Sequence, residues 1–340
     1  MSELANNSVV SRVKKRPDII RLYADITKDL DKVEERLKLF SRSHNKLIAE
    51  ISNYLFQKGG KRIRPALLIL CSKMMGYNGE EHILMSTLVE TIHTASLIHD
   101  DIIDKSEFRR GKESIHIRWG PNITVLLGDY LYIKALGTSL QSKHRRITKI
   151  LTDISTSMIE GELSEYCMSG NQNLTEEDYL DIIHKKTASL FSASCQIGGI
   201  LGHASKKEEN SLKEYGTNIG MTFQIIDDLL DFTGDEKILG KPVLSDLSES
   251  RITLPLIYTL NHDGKANRER IAELMKKKIL EKDSLEEVLK IVKSNGALEY
   301  TSKKAEEFSL KSREIISRFP KSSHRDALAI LPEYVLSRKK

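Results

Sequence analysis

The sequence predicts an all-α protein in one large domain, and three observations carry that prediction. The 340 residues include only 7 Pro and 19 Gly, so helix breakers are sparse for the length. Apolar residues recur three and four apart through most of the chain, which is the period of a helix face. Aromatic residues make up 6%, and the β-branched alternation expected of strands is scarce, so no run suggests a parallel sheet. No composition shift marks a domain boundary, and 340 residues is long for one domain but acceptable for a single large helical one.

The elements follow in order. The run SRVKKRPD near the N-terminus reads as a solvated basic end. In GGKRIRPALLIL, Gly59 and Gly60 precede Lys61, Arg62 and Arg64, and Pro65 leads into an apolar helix. Glycines let backbone approach an anion, a helix start favours negative charge, and Pro suits a first turn. That makes a phosphate site, with a solvated basic loop as the plain alternative. The next helix, VETIHTASLIHDDIID, carries Asp100, Asp101 and Asp104, and Arg109 and Arg110 follow before Gly111. Pro121 after Gly120 starts another helix. Glu162, in IEGELSEY, has no mechanistic reading. The run SGNQN breaks the chain before Thr175, which with Asp178 forms a capping box, as Ser284 does with Glu287. Lys185, Lys186 and Thr187 precede an apolar run, FQIIDDLLD carries Asp227, Asp228 and Asp231, and NHDGKANRER reads as another break.

The two acidic groups are the strongest signal. Each reads DDxxD on apolar, turn-free sequence, so three carboxylates share one helix face. A like-charged patch beside Ile and Leu is costly unless cations bridge it. Hard oxygen donors of this kind suit Mg²⁺, held by one or two carboxylates while substrate phosphates fill its other positions. Two such patches imply a diphosphate substrate. The Arg109–Arg110 pair offers guanidinium forks that match phosphate oxygens. One DDxxD alone is most often a solvated surface, and it is the second copy that shifts the balance.

The ordered set GGKRIRP, IHTASLIHDDIIDKSEFRRG, GDYLY, KTASLFSASC, FQIIDDLLDFTGD, LGKPVLSDL and TLPLIY resembles the trans-isoprenyl diphosphate synthase, or polyprenyl synthetase, family over nearly the whole length. The resemblance implies an isoprenoid-synthase helical bundle with a central active-site cavity. Residues 1–20 would be an N-terminal extension and 21–340 the catalytic domain. It implies a reaction in which an allylic diphosphate ionises, isopentenyl diphosphate attacks the carbocation, and a proton is lost, with the departed diphosphate as its acceptor. It also implies three Mg²⁺ ions per active site on Asp100, Asp101, Asp104, Asp227, Asp228 and Asp231. Lys61, Arg64, His93 and Arg110 would hold isopentenyl diphosphate. Arg109, Lys186, Thr187, Gln224 and Lys241 would hold the allylic diphosphate, and Phe223 would line the pocket. On residues alone, His93 reads more readily as a core histidine, and the resemblance reverses that. Where the family usually has Gly-Lys, this chain has Ser250 and Arg251, so Arg251 enters the phosphate set as a departure that replaces a compact ammonium by a broad fork.

Product length is partly readable. Ala95 lies five positions before Asp100, about 7 Å deeper along the helix, and Ser96 lies four before. Both are small, where shorter-chain members place an aromatic plug, and Ile92 one turn deeper is not aromatic. A hexaprenyl to decaprenyl product is expected. A plug from Tyr132 or Met158 would shorten it to geranylgeranyl or farnesyl, and small residues that merely pack helices are the plain alternative.

The net charge of +5 is spread along helices with Glu and Asp between, and Trp119 is the only Trp, so no nucleic-acid stripe is expected. The basic ends, SRVKKRPD and the C-terminal SRKK, read as solvated, with contact at an anionic membrane surface as the alternative. Cys71, Cys167 and Cys195 form no metal pattern and read as reduced core thiols, consistent with cytoplasm. No apolar run is long enough to span a bilayer. A homodimer is expected from the resemblance alone. The competing readings are a class I terpene cyclase, against which the all-carboxylate second motif argues, and a non-catalytic subunit of a heteromeric synthase, against which the six retained aspartates argue.

Overall fold

The computed structural model describes residues 23–40, 42–56, 59–109, 111–234, 243–262, 264–275 and 282–338. The predicted SRVKKRPD end lies outside the described residues. The chain divides into two compact units, one of Met1–Ser155, Leu190–Gly216 and Ile315–Leu331, the other of Thr156–Ser189, Thr217–Glu314 and Pro332–Lys340. Both are helical, as predicted.

In the first unit, α1 (Thr27–Phe40), α2 (Lys46–Phe56), α3 (Ile63–Met74), α4 (Glu81–Ile103), α5 (Ile115–Trp119) and α6 (Pro121–Ser139) follow one another. The long α4 packs against α1, α3 and α6. Its sequence is apolar on more than one side, and Met85, Leu88, Val89, Ile92 and Ala95 are all fully buried, as such a pattern requires. Helix α6 begins with Pro121 at its first position after Gly120, whose φ of 84° is open to glycine and strained for other residues.

Two features of this unit depart from the sequence reading. Among the described residues the only strands are β1 (Phe108–Arg109) and β2 (Lys112–Glu113), an antiparallel pair with Phe108 opposite Glu113. Two-residue strands are too short for periodicity to register. The second departure is Arg62, read with Lys61 and Arg64 as anion-binding. It is 4% exposed, with Nε 2.6 Å from Glu34 Oε1 and Nη1 2.5 Å from Glu90 Oε1. Its positive charge is therefore neutralised inside the fold, tying α1 and α4 to the start of α3. Removing one partner of such a pair costs about 3–5 kcal/mol, because a buried charge is left unpaired.

The second unit holds α7 (Arg145–Met168) from Thr156 on, α8 (Glu176–Ile183), α10 (Lys206–Thr233) from Thr217 on, α11 (Ser245–Ser248), α12 (Leu254–His262), α13 (Lys265–Met275), α14 (Lys282–Ser294) and most of α15 (Ala297–Ser317); α9 (Ser189–Leu201) and α16 (Ser323–Leu336) lie largely in the first. Its core joins Ile225, Leu254, Leu256, Val288 and Val292, and α12 packs on α8, α13 and α14. The predicted capping box at Thr175 is present, with the Thr175 hydroxyl accepting from Asp178 N–H and Asp178 reaching back to the Thr175 N–H. Directly after α8 the backbone widens into a π turn, His184–Ala188, an irregularity that concentrates at functional sites. Helix α7 approaches it so closely that a Cβ on Gly161 would lie 2.6 Å from the Lys186 backbone nitrogen.

Three smaller expectations change here. Ser284 does not cap a helix: α14 already runs from Lys282, Ser284 is buried within it, and Glu287 is taken by Arg270 at 2.7 Å. In NHDGKANRER, read as a break, one helix runs to His262 and the next starts at Lys265, so residues 265–270 are helical, and Asp263 lies outside the described residues. Cys71 and Cys195 are buried free thiols as expected, but Cys167 is exposed near the end of α7. Among the described residues no helix is long and apolar enough to cross a membrane.

Candidate active site

The first acidic cluster sits where α4 ends. Asp100 and Asp101 lie on its last turn and Asp104 is its C-cap, donating its N–H to the Asp100 carbonyl at 2.8 Å, so the helical spacing holds through all three. Lys105 then takes a left-handed φ of 51° and the chain turns into the hairpin. The hairpin carries Arg109 back over the cluster, where its Nε donates to Asp101 Oδ1 at 2.6 Å. Burial raises the Asp101 carboxyl above its ordinary value, and the Arg109 charge opposes that rise. Arg110 lies outside the described residues.

Of the residues that the resemblance assigns to isopentenyl diphosphate, Lys61, Arg64 and His93 lie in the same unit. Arg64 Nη1 lies 3.1 Å from His93 Nε2. A guanidinium can only donate, so His93 accepts there as the neutral imidazole protonated at Nδ1. Arg64 also stacks 4.3 Å over the Phe191 ring. Lys61 is exposed, and the Tyr23 hydroxyl donates to its carbonyl at 2.5 Å. His93, Asp101, Arg109 and Lys112 line one open cavity of about 700 Å³, and Thr94, Leu97 and Ile98 form its wall on α4. Of the residues expected to set product length, Ile92 is fully buried, and Ala95 belongs to an apolar cluster with Ile51, Ile98, Leu127 and Leu131 against which Tyr132 packs. Ser96 is half-buried and donates back to the His93 carbonyl at 2.9 Å.

The second cluster lies wholly inside α10, and its carboxylates are held by neighbours. Asp228 is 4% exposed. The Tyr179 hydroxyl donates to its Oδ2 at 2.6 Å and Gln224 Nε2 to its Oδ1 at 2.8 Å. Thr187 in turn donates to Gln224 Oε1 at 2.8 Å, so three residues that the resemblance grouped form one hydrogen-bonded chain. Burial, and then the Asp246 carboxylate, push Asp228 up to about 8 against those two hydrogen bonds. Asp231, 1% exposed, accepts from Ser245 Oγ at 2.7 Å and from the Asp246 N–H at 3.2 Å, anchoring the start of α11. Asp227 Oδ1 lies 2.7 Å from Arg338 Nη1, and that guanidinium stacks 4.1 Å over Phe223. In the C-terminal SRKK run, read as solvated, Arg338 is instead folded onto the cluster, and Lys339 and Lys340 lie outside the described residues.

Lys186, on the π turn, pairs with Glu162 Oε2 at 2.7 Å and with Glu165. Glu162, which the sequence left without a role, is thus a counter-ion of Lys186. Lys186, Gln224, Asp228 and Arg251 line a second cavity of about 620 Å³ with Tyr179 and Glu165. Arg251 pairs with Glu249, and Ser250 before it takes a left-handed φ of 61° at the position where the family usually has Gly. Lys241 lies outside the described residues. Tyr179, Glu165 and Arg338 were missed by sequence reasoning. Tyr179 had a faint signal, as the one polar-tipped aromatic on the apolar face of TEEDYLDII, and Arg338 had none.

The donor chemistry fits Mg²⁺. Among the described residues no three His, Cys, Asp or Glu side chains converge as a preformed cage. Mg²⁺ does not ask for one, since it keeps waters and takes one or two carboxylates with substrate phosphate. Desolvated carboxylates such as Asp101 and Asp228 are those that gain most from a nearby cation.

The polyprenyl synthetase family profile matches residues 45–292. Octaprenyl diphosphate synthase of Escherichia coli strain K12 is 35% identical over 292 residues, which is 86% of this chain and 90% of that protein. Geranylgeranyl diphosphate synthase of Saccharolobus solfataricus is 33% identical over 321 residues, 92% of this chain and 96% of that protein. Among solved structures, the polyprenyl synthase of Caulobacter crescentus CB15 complexed with calcium and isoprenyl diphosphate matches with a TM-score of 0.90 at 30% identity, covering 95% of this chain and 98% of that one. With both acidic motifs in place and the helical fold shared, the chain belongs to the polyprenyl synthetase family of prenyltransferases.

Proposed function

We propose that the protein is a trans-polyprenyl diphosphate synthase that condenses isopentenyl diphosphate with an allylic diphosphate, head to tail, and repeats the step to a hexaprenyl to decaprenyl product. The observation that carries this reading is that each acidic cluster has its own basic side chain in the same cavity, Arg109 beside Asp101 and Lys186 beside Asp228. Both clusters then serve the same difficulty, which is separating a diphosphate anion from a carbocation.

Asp100, Asp101, Asp104, Asp227, Asp228 and Asp231 hold Mg²⁺, three ions by the family pattern. When bound, Mg²⁺ supplies neutralisation of the charge that grows on the departing diphosphate. Arg109, Lys186, Thr187, Gln224 and Lys241 orient the allylic diphosphate, with Arg251 as a further guanidinium donor. Lys61, Arg64, His93 and Arg110 hold isopentenyl diphosphate without a metal, and Phe223 lines the pocket. The allylic C–O bond breaks, the isopentenyl double bond attacks the cation, and the released diphosphate takes the proton. The catalytic domain spans residues 21–340 in this reading, with 1–20 an extension, and the enzyme works in the cytoplasm as a homodimer. An exposed apolar row at heptad spacing on α6 and its C-cap, Leu126, Ile133 and Leu140, supports a second copy.

A geranylgeranyl product is the second reading, favoured by Tyr132 packing on the cluster that contains Ala95. Incubation with isopentenyl diphosphate, several allylic primers and Mg²⁺, followed by chromatography of the dephosphorylated products, separates the two. A ladder ending beyond geranylgeranyl supports the long-chain reading, and a stop at geranylgeranyl supports the second. A stop at farnesyl refutes both, and no condensation at all refutes the enzyme.

A further inference from the structure

We infer that Tyr179 is a positioning residue of the second acidic cluster, holding the Asp228 carboxylate in the orientation in which it takes a divalent cation. The inference rests on the proposed metal role of that cluster and extends it to a residue outside the family's motif set. Tyr179 is 3% exposed. Its hydroxyl reaches Asp228 Oδ2 at 2.6 Å, a separation typical of an O–H donor on a carboxylate. The opposite oxygen takes the Gln224 amide at 2.8 Å. A carboxylate has about four lone-pair sites, so two neutral donors fix its plane and leave acceptor capacity on the cavity that Asp228, Tyr179, Gln224 and Lys186 line together.

Local structure places the hydroxyl there. The capping box at Thr175 sets the first turn of α8, and Tyr179 follows Asp178 directly with its ring buried against the core. In that contact the phenol hydroxyl carries the hydrogen and the carboxylate oxygen accepts it. A buried tyrosine need not be arranged in this way. Tyr215, equally buried, donates to the Leu328 backbone carbonyl at 2.7 Å and touches no acidic cluster. Outer-shell donors of this kind orient ligands to metals, and losing one typically weakens metal affinity about 10- to 100-fold.

The test is Tyr179→Phe, which deletes one hydroxyl and no carbon, with Tyr215→Phe as the comparison that loses an equally buried hydroxyl elsewhere. Mn²⁺ binding is measured by electron paramagnetic resonance in the presence of a non-ionisable allylic thiolodiphosphate, alongside the Mg²⁺ dependence of kcat and the KM for isopentenyl diphosphate. The expected result is Mn²⁺ affinity weakened about 10-fold or more in Tyr179→Phe, kcat largely recovered at saturating Mg²⁺, and KM for isopentenyl diphosphate and the behaviour of Tyr215→Phe close to wild type. Mn²⁺ affinity within twofold of wild type in Tyr179→Phe, or an equal loss in Tyr215→Phe, overturns the inference while wild-type binding and turnover leave the metal role standing. A wild-type protein that neither binds Mn²⁺ nor makes product overturns the metal role itself.

Discussion

Asp104 and Asp231 occupy the same place in two copies of one motif, yet they live in different surroundings. Asp104 is half-buried where α4 stops, and the chain beyond it turns through Lys105 into a hairpin that returns Arg109 to the cluster. Asp231 is buried within α10, which runs on to Thr233, and both its oxygens accept donors from the start of α11. Equal spacing therefore gives equal presentation of carboxylates on a helix face but not equal support. In the first cluster Asp101 is paired with a cation carried on strand β1 of the hairpin. In the second, Asp228 and Asp231 accept from neutral donors and Asp227 meets Arg338 from the far end of the chain.

The largest effect should come from removing a carboxylate in either cluster. Asp101→Ala and Asp227→Ala are each expected to lower kcat by about 10²–10³, the size seen when a main electrostatic element is lost, in steady-state assays with saturating Mg²⁺. Near-normal turnover in one of them would confine the metal role to the other cluster. Next comes stability. Asp231→Ala removes two hydrogen bonds to a buried carboxylate and should lower unfolding free energy by about 3 kcal/mol, whereas Asp104→Ala should stay within about 0.5 kcal/mol. Urea titration of the two variants decides this, and equal losses would erase the distinction between the clusters.

A change confined to the first unit follows. Ala95→Phe places a ring below Asp100 and is expected to shorten the product without abolishing condensation, read from chain-length analysis of the products. Unchanged length would show that Ala95 only packs α4 against its neighbours. The smallest effect is expected in the second unit. Ser250 holds a left-handed φ of 61°, so Ser250→Gly should stabilise the protein by about 1 kcal/mol with little change in turnover. A loss of stability would mean that the Ser250 side chain supports the adjoining Arg251.

Much of the candidate site is legible in the motifs. The Thr187–Gln224–Asp228 chain and the Arg64–His93 pair join residues that the motifs had already grouped. What the motifs mis-sorted was Arg62, one of three basic residues in GGKRIRP, which turned inward to Glu34 and Glu90. Nothing local distinguishes it from Lys61 or Arg64, because its partners lie 28 residues away on either side. The hairpin was missed for a different reason, since two residues per strand leave no alternation to detect.

Helical class, the positions of helix starts at Pro121 and Thr175, and the chemistry of two carboxylate triplets all follow from near-neighbour rules, and the linear chain was sufficient for them. Near neighbours set backbone propensity, face periodicity and capping, which operate within about one or two turns. The partners of the long side chains belong to the folded arrangement alone. Lys186 meets Glu162, Asp228 meets Tyr179 and Asp227 meets Arg338 because segments distant in sequence pack together. A flexible charged side chain has many acceptable counterparts, and only the packing of the backbone selects one.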